Sequence, residues 1–469
     1  MTAREPISDV DLAWLRMERP TNPMMVVGVL TFATRLKRAR LRDLLLARLM
    51  RFSRLQQIPQ NDVFGYWWRS DPHFDIDSHL HVLTLPARAG QSQLEAAASD
   101  LASTPLDPRR PLWQIHLVER WGEGSALIVR FHHCYADGMA LLRVLLFMAD
   151  ASPDAPAAPP PIEAPAQSPS LLSLAPVVGP ALSAARNLTQ NAVDALSSSL
   201  KMLSNPARAV ELARQAASAA AELTAIAMLA DEPSTPLKGA LGVRKQIVWA
   251  DPAPLAEVKA VAKALDCKIN DVLLATAAGA LGGYVRARGA ALDAGAVVRA
   301  VVPVNLRPPD APVTLGNHFG LVYARLPIGE RNPLARIYAV RQEMQRLKQS
   351  PQATLTLWLL AAMGMAPQFI EQGAIDLFSG KASVVISNVP GPRQALYVAG
   401  ARLDRLFFWV PQAGDIGVGV SLLTYQDRVH FGVMADRNLI PDPRPLAQEF
   451  ITQFEQLRAR VAHGFGGAD

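Results

Sequence analysis

Residues 125–148, SALIVRFHHCYADGMALLRVLLFM, read as a hydrophobic strand, a short polar turn and an apolar helix. The run 125–131 is almost wholly apolar, and the run 139–148 carries leucine and methionine nearly unbroken. Phe131-His132-His133-Cys134-Tyr135-Ala136-Asp137-Gly138 joins the two. Strand passing directly into helix is the unit of an α/β fold, and polar groups at such junctions are where these folds place their sites. Successive side chains on extended backbone point to opposite sides, so one histidine can face a cavity while the other packs inward. Imidazole titrates near neutrality, which suits the cavity-facing ring to general-base work on an alcohol or amine. The same residues read equally well as satisfied polar groups before an Asp-Gly turn. Metal binding by His132, His133 and Asp137 is awkward, because the two rings diverge.

Outward from this segment, 25–32 reads as a strand and 41–55 as a helix. Further on, strands are expected at 245–249, 297–304, 321–326, 383–387, 417–425 and 428–435, the last two as a hairpin around Gln426-Asp427. Helices are expected at 255–265, 269–284 and 334–347. Between the halves, the stretch ASPDAPAAPPPIEAPAQSPS at 151–170 holds too much proline for regular structure. The alanine- and leucine-rich stretch 171–230 favours several helices, and a second seam at 231–236 follows it. The expected organisation is a lobe at 1–150, a Pro/Ala-rich linker with helices at 151–240 and a second lobe at 241–469. Both lobes are expected to be α/β, with mixed sheets flanked by helices.

The chain has 469 residues, 50% of them hydrophobic and 19% charged, with mean hydropathy +0.12. That excludes wholesale disorder and points to a greasy cavity or a membrane-facing patch. The net charge of +6 suits nucleic acid, an anionic membrane or a phosphate-bearing ligand. Cys134 and Cys267 cannot build a disulfide framework or a cysteine zinc site, which fits a reducing, cytoplasmic setting. The N-terminal residues lack the pattern of a signal peptide. Prolines break the uncharged stretch 164–185. The apolar centre of 349–370 falls short of the roughly 20 residues a bilayer requires, so it reads as a buried or interfacial helix. The basic run 35–54 reads as a helix packed on its lobe, the sharper alternative being an amphipathic face on anionic lipid. No nucleic-acid motif accompanies the charge. GxSxG is absent, and Gly417-Val-Gly-Val-Ser421 has the wrong spacing for a nucleophile elbow.

The pattern HHxxxDG at 132–138 makes the chain recognisable. It resembles the bacterial wax ester synthase/acyl-CoA:diacylglycerol acyltransferase family, within the superfamily of chloramphenicol acetyltransferase-like and condensation folds. The likeness runs through Ile7-Ser-Asp-Val-Asp-Leu-Ala-Trp-Leu, Glu18-Arg-Pro-Thr-Asn-Pro-Met, Phe74-Asp-Ile-Asp-Ser-His79 and Pro111-Leu112-Trp113. It continues in Asn270-Asp271-Val-Leu-Leu, Val302-Pro-Val-Asn-Leu-Arg307, Leu315-Gly-Asn-His-Phe-Gly320 and Ser387-Asn388-Val-Pro390-Gly391-Pro392. The resemblance implies two chloramphenicol acetyltransferase-like lobes with the site between them. It also implies transfer of an acyl group from acyl-CoA to a fatty alcohol or diacylglycerol, with no permanently bound cofactor or metal. His133 would be the general base, His132 a supporting residue, Asp137 an anchor to Arg307, and Gly138 the tight entry to the helix. Pro111, Leu112, Trp113, Asn270, Asp271, Ser387 and Asn388 are candidates for binding substrate. Each has a plainer alternative in a turn, a core position or a helix cap. The rivals are an enzyme of the same fold acting on a short alcohol or amine, and a non-catalytic protein coating lipid inclusions. Location is expected in the cytoplasm, with peripheral contact to a membrane or inclusion.

Overall fold

The computed structural model describes residues 4–154, 224, 226, 228–230, 232, 235–308 and 311–462. The Pro-rich seam beyond 154 and the helices expected at 171–223 lie outside the described residues. Among the described residues, three sheets carry the fold. A small one joins Arg4–Pro6, Gly65–Ser70 and Gln57–Asp62. A six-stranded sheet runs Tyr397–Val398, Ala401–Trp409, Met25–Phe32, Gly124–His132, Trp113–Trp121, Leu80–Val82. The seven-stranded sheet is ordered Phe319–Leu326, Val298–Asn305, Val384–Pro390, Val418–Tyr425, Arg428–Asp436, Lys245–Trp249, with Ala253–Pro254 also on Arg428–Asp436. Val384–Pro390 is parallel to both its neighbours while the rest of that sheet is antiparallel, so the sheet is mixed. Strands inside such a sheet are covered on both faces and can be nearly all buried, as Val418–Tyr425 is.

The lobes interleave. Ala401–Trp409, from the C-terminal half, pairs with Met25–Phe32 in the first sheet. In return the helix Gln91–Ala102 docks on Lys245–Trp249. There Ser103 Oγ, Ser99 Oγ and Glu95 Oε1 accept the Lys245, Ile247 and Trp249 N–H groups, capping a sheet edge that would otherwise be open.

The helix expected at 41–55 is instead Arg38–Ala47 followed by two 3-10 turns, Leu49–Arg51 and Ser53–Gln56. It ends where Arg48 turns inward: its buried guanidinium donates to Met148 O at 3.0 Å and pairs with Asp150 at 2.8 Å. Arg38 and Arg42 pair with Asp77, and Arg54 with Glu5. The basic run is therefore a packed element in which Arg38, Arg42, Arg48 and Arg54 pair with carboxylates, while Arg35, Lys37, Arg40 and Arg51 stand exposed. The stretch 349–370 is also divided, into the end of Pro333–Gln349, the helix Gln352–Met365 and the start of Gln368–Ser379. Among the described residues no helix is long and apolar enough to cross a membrane.

Candidate active site

The strand Gly124–His132 delivers the two histidines at its end, and the chain then turns within four residues, Tyr135 N–H donating to His132 O at 3.0 Å. Asp137 caps the next helix, Gly138–Met148, by accepting from Ala140 N at 2.9 Å. A loop from the second lobe closes over this turn. Gly316, at φ +105°, donates to Tyr135 O at 2.7 Å, a backbone conformation that favours glycine. Asn317 Nδ2 donates to His133 O at 2.7 Å and to Asp11 Oδ1 at 2.8 Å. His318 N–H and Arg307 Nη1 both reach Asp137 Oδ2, at 2.9 and 2.5 Å, while Arg307 Nη2 holds Gly316 O at 2.6 Å. Both partners of the Asp137–Arg307 pair are buried, so each charge depends on the other for its solvation.

The two rings diverge. His132 is turned away from the cavity: Cys134 N–H donates to its Nδ1 at 3.1 Å, so Nε2 carries the proton and donates to Glu18 Oε2 at 3.1 Å. His133 faces an apolar cavity of about 280 Å³. Trp14 stacks on its ring with centroids 4.0 Å apart and planes at 26°, and Phe319 lies at 5.5 Å. Its Nδ1 is buried without a hydrogen-bond partner. Burial pushes the pKa of His133 down to about 4, against the opposing pull of the Asp137 carboxylate. The ring is therefore neutral at physiological pH and free to accept a proton.

The walls come from both lobes: Trp14 and Met17, then Pro303, Asn305, Leu321 and Tyr323, then Leu360 and Met363, then Ile375 and Phe378. Gly138, Ser387 and Asn388 also face it, Asn388 Nδ2 donating to Asn270 Oδ1 at 2.6 Å. The other substrate-binding candidates do not line it. Asp271 accepts from Lys268 N at 2.9 Å as the helix cap of Ile269–Ala287. Leu112 and Trp113 are core residues, Trp113 stacking between His79 and Phe131 and donating to Leu55 O at 2.8 Å. Pro111 precedes them at the start of the strand Trp113–Trp121. Gly138 differs from its expected part too: its φ is not positive, and an added Cβ would meet only Val410, at an ordinary 3.8 Å.

Sequence reasoning missed Trp14, Asn317, Phe319, Asn305 and Tyr323 as parts of the site. The first four stand inside blocks quoted for the resemblance, yet nothing local marks an aromatic as the lid of a histidine. The close approach of Gly364 to the Asp9 backbone brings Gln352–Met365 against Asp9–Arg16 and so holds Trp14 in place.

The site is a buried imidazole at the meeting of two α/β lobes, facing an apolar cavity. Residues 7–273 match the wax ester synthase/diacylglycerol acyltransferase catalytic domain, and residues 315–458 the WS/DGAT C-terminal domain. A putative diacylglycerol O-acyltransferase of Mycobacterium bovis is 30% identical, the match covering 96% of this chain and 90% of that protein. The wax ester synthase/diacylglycerol acyltransferase of Marinobacter aquaeolei superposes with a TM-score of 0.68 at 22% identity, covering 98% of this chain and all of that one. The starter condensation domain of rhizomide synthetase, solved with C8-CoA and Leu-SNAC, gives a TM-score of 0.59 at 15% identity, covering 98% and 94%. The chain belongs to the wax ester synthase/diacylglycerol acyltransferase family and is an acyl-CoA-dependent acyltransferase.

Proposed function

We propose that the chain moves a fatty acyl group from acyl-CoA to a long-chain alcohol, to diacylglycerol, or to both, in a ternary complex with His133 as general base. One observation carries this reading: the one ring of the histidine pair that faces the cavity is buried and surrounded by apolar walls. His133 takes the hydroxyl proton as the substrate oxygen attacks the thioester carbonyl carbon. The tetrahedral intermediate collapses with cleavage of the C–S bond, and the leaving sulfur takes the proton back from the imidazolium. A thioester is already activated, so no acyl-enzyme and no resident cofactor enter the scheme. Holding donor and acceptor in near-attack geometry supplies much of the rate. The condensation domain solved with C8-CoA supports acyl-CoA as the donor. Asp137 and Arg307 act as anchors of the loop, and His132 fixes its turn.

The same reading gives the outer face of Gln368–Ser379 to a lipid surface. Its inner face lines the cavity with Ala374, Ile375 and Phe378, while Phe369, Ile370 and Leu377 stand exposed outside. Substrates dissolved in lipid would then have a short path to His133. The decisive test is His133→Ala assayed for CoA release from palmitoyl-CoA with hexadecanol or dioleoylglycerol. The expected loss is on the order of 10²–10⁴-fold with the fold intact, and turnover at the wild-type rate would exclude His133 as base.

A further inference from the structure

The cavity has a direction. Val301, Pro303 and Asn305 of one strand, and Val385, Ser387 and Val389 of its parallel neighbour, all face it at every second position. Asn305 is two residues from Arg307 and so marks the end beside Asp137 and His133. Val301 and Val385 sit opposite each other in the sheet at the far end, about 13 Å away at the rise of an extended chain.

At that far end the lining residues are backed by residues close in sequence to neither strand. Ile226, 2% exposed, packs in one cluster with Val301, Tyr323, Val385 and Ile416, all four of which line the cavity, and Leu229 packs against the same cluster. The backbone here is tied down: Met228 N–H donates to Thr224 O at 2.8 Å, and Leu229 N–H to Ile226 O at 3.2 Å. Glu232 is the anchor. Its buried carboxylate pairs with Arg299 at 3.1 Å and accepts from Ser383 Oγ at 2.8 Å and Arg299 N at 2.9 Å. Both partners lie at the beginnings of the two strands that wall the cavity.

We infer that Ile226, packed with Leu229 behind these lining residues and held by the Glu232 clamp, is the stopper that fixes the far end of this hydrocarbon channel and so sets the chain length it accepts. The inference rests on the acyl-transfer reading above. A methyl group gained or lost where a chain end meets a packed wall changes selectivity by roughly tenfold or more. Ile226→Ala is expected to raise the ratio of C18 to C12 turnover on the order of tenfold, and Ile226→Trp to lower it by a similar factor. Two arms separate the sources of the chain: acyl-CoA length varied against fixed hexadecanol, and alcohol length varied against fixed palmitoyl-CoA. A shift in either arm supports the stopper and tells which substrate occupies the channel. Wild-type length profiles in both arms, from variants that melt as cooperatively as the parent, would overturn it. Should the wild type transfer nothing at any length, the acyl-transfer reading fails instead. The stopper is then judged by the length dependence of the melting-temperature rise that acyl-CoAs and alcohols produce in the three proteins, an identical dependence overturning it.

Discussion

Trp14 covers one face of the His133 ring, and with Phe319 it removes the water that would favour the imidazolium. Burial is the largest influence on this pKa, so activity is expected to persist through pH 5.5, where an ordinary histidine would be mostly protonated, with the acid limb near pH 4. Trp14→Ala should admit water and move that limb upward toward pH 6.5, whereas Trp14→Phe should leave it nearly in place. A purely structural part for Trp14 would lower the rate without moving the limb, so the pH–rate profile checks the assignment. Stability follows from the same shift. His133 binds a proton near pH 6.5 when unfolded but near pH 4 when folded, so its contribution is present above pH 6.5 and is lost as pH falls from 6.5 to 4. His116 and His430, buried and pushed down to about 3, act with the same sign. Melting temperature should therefore drop across that window, and less steeply in His133→Gln.

At the scale of elements, the loop 316–318 and Arg307 pin the histidine turn from the opposite lobe, and Asp137 is where their bonds converge. Asp137→Ala would leave the Arg307 guanidinium buried without its counter-charge, a defect that costs about 3–5 kcal/mol. Equilibrium denaturation should show that loss, and a change below about 1 kcal/mol would remove Asp137 from the anchoring part given to it. Gly138→Ala should by contrast fold within about 1 kcal/mol of the parent, since helix propensity favours alanine there and the added methyl has room. The strand before the histidines and the hairpin Val418–Tyr425/Arg428–Asp436 were legible because each is a continuous or alternating apolar run ended by turn residues. Trp113–Trp121 and Ala401–Trp409 were not. Glu119 and Arg120 interrupt the first, and Asp404 and Arg405 the second, where each strand reaches toward solvent. The pairing of Ala401–Trp409 with Met25–Phe32 spans nearly the whole chain, and no local pattern encodes a partner so distant. In the site, His133 and Asp137 could be read from their motif, whereas Trp14 became visible only once two helices had packed.

For the whole molecule, interleaved lobes make the cavity a joint product: one lobe supplies the base, the other most of the walls, and strand exchange fixes their spacing. This arrangement explains where the apolar excess of the sequence went. Part lines the cavity, and part continues through Gln368–Ser379 to an outer surface where Phe369 is 74% exposed. Phe369, Gly373 and Leu377 recur at four-residue spacing and so form one stripe, with Ile370 beside it. An apolar stripe of this kind on the wall of a lipid-substrate cavity is costly in water unless something apolar covers it, and a lipid surface is the cover that also delivers substrate. The double variant F369E/L377E places two charges on that stripe without touching the cavity-facing residues. It is expected to lose most of its binding to phosphatidylcholine vesicles containing diacylglycerol, measured by flotation. Turnover of that vesicle-held acceptor should fall in parallel, on the order of tenfold given the cost of pressing a carboxylate against lipid. Turnover of a short alcohol presented in solution should stay near the parent's. If vesicle binding is unchanged, the stripe is not the docking face, and substrate must reach His133 from another side.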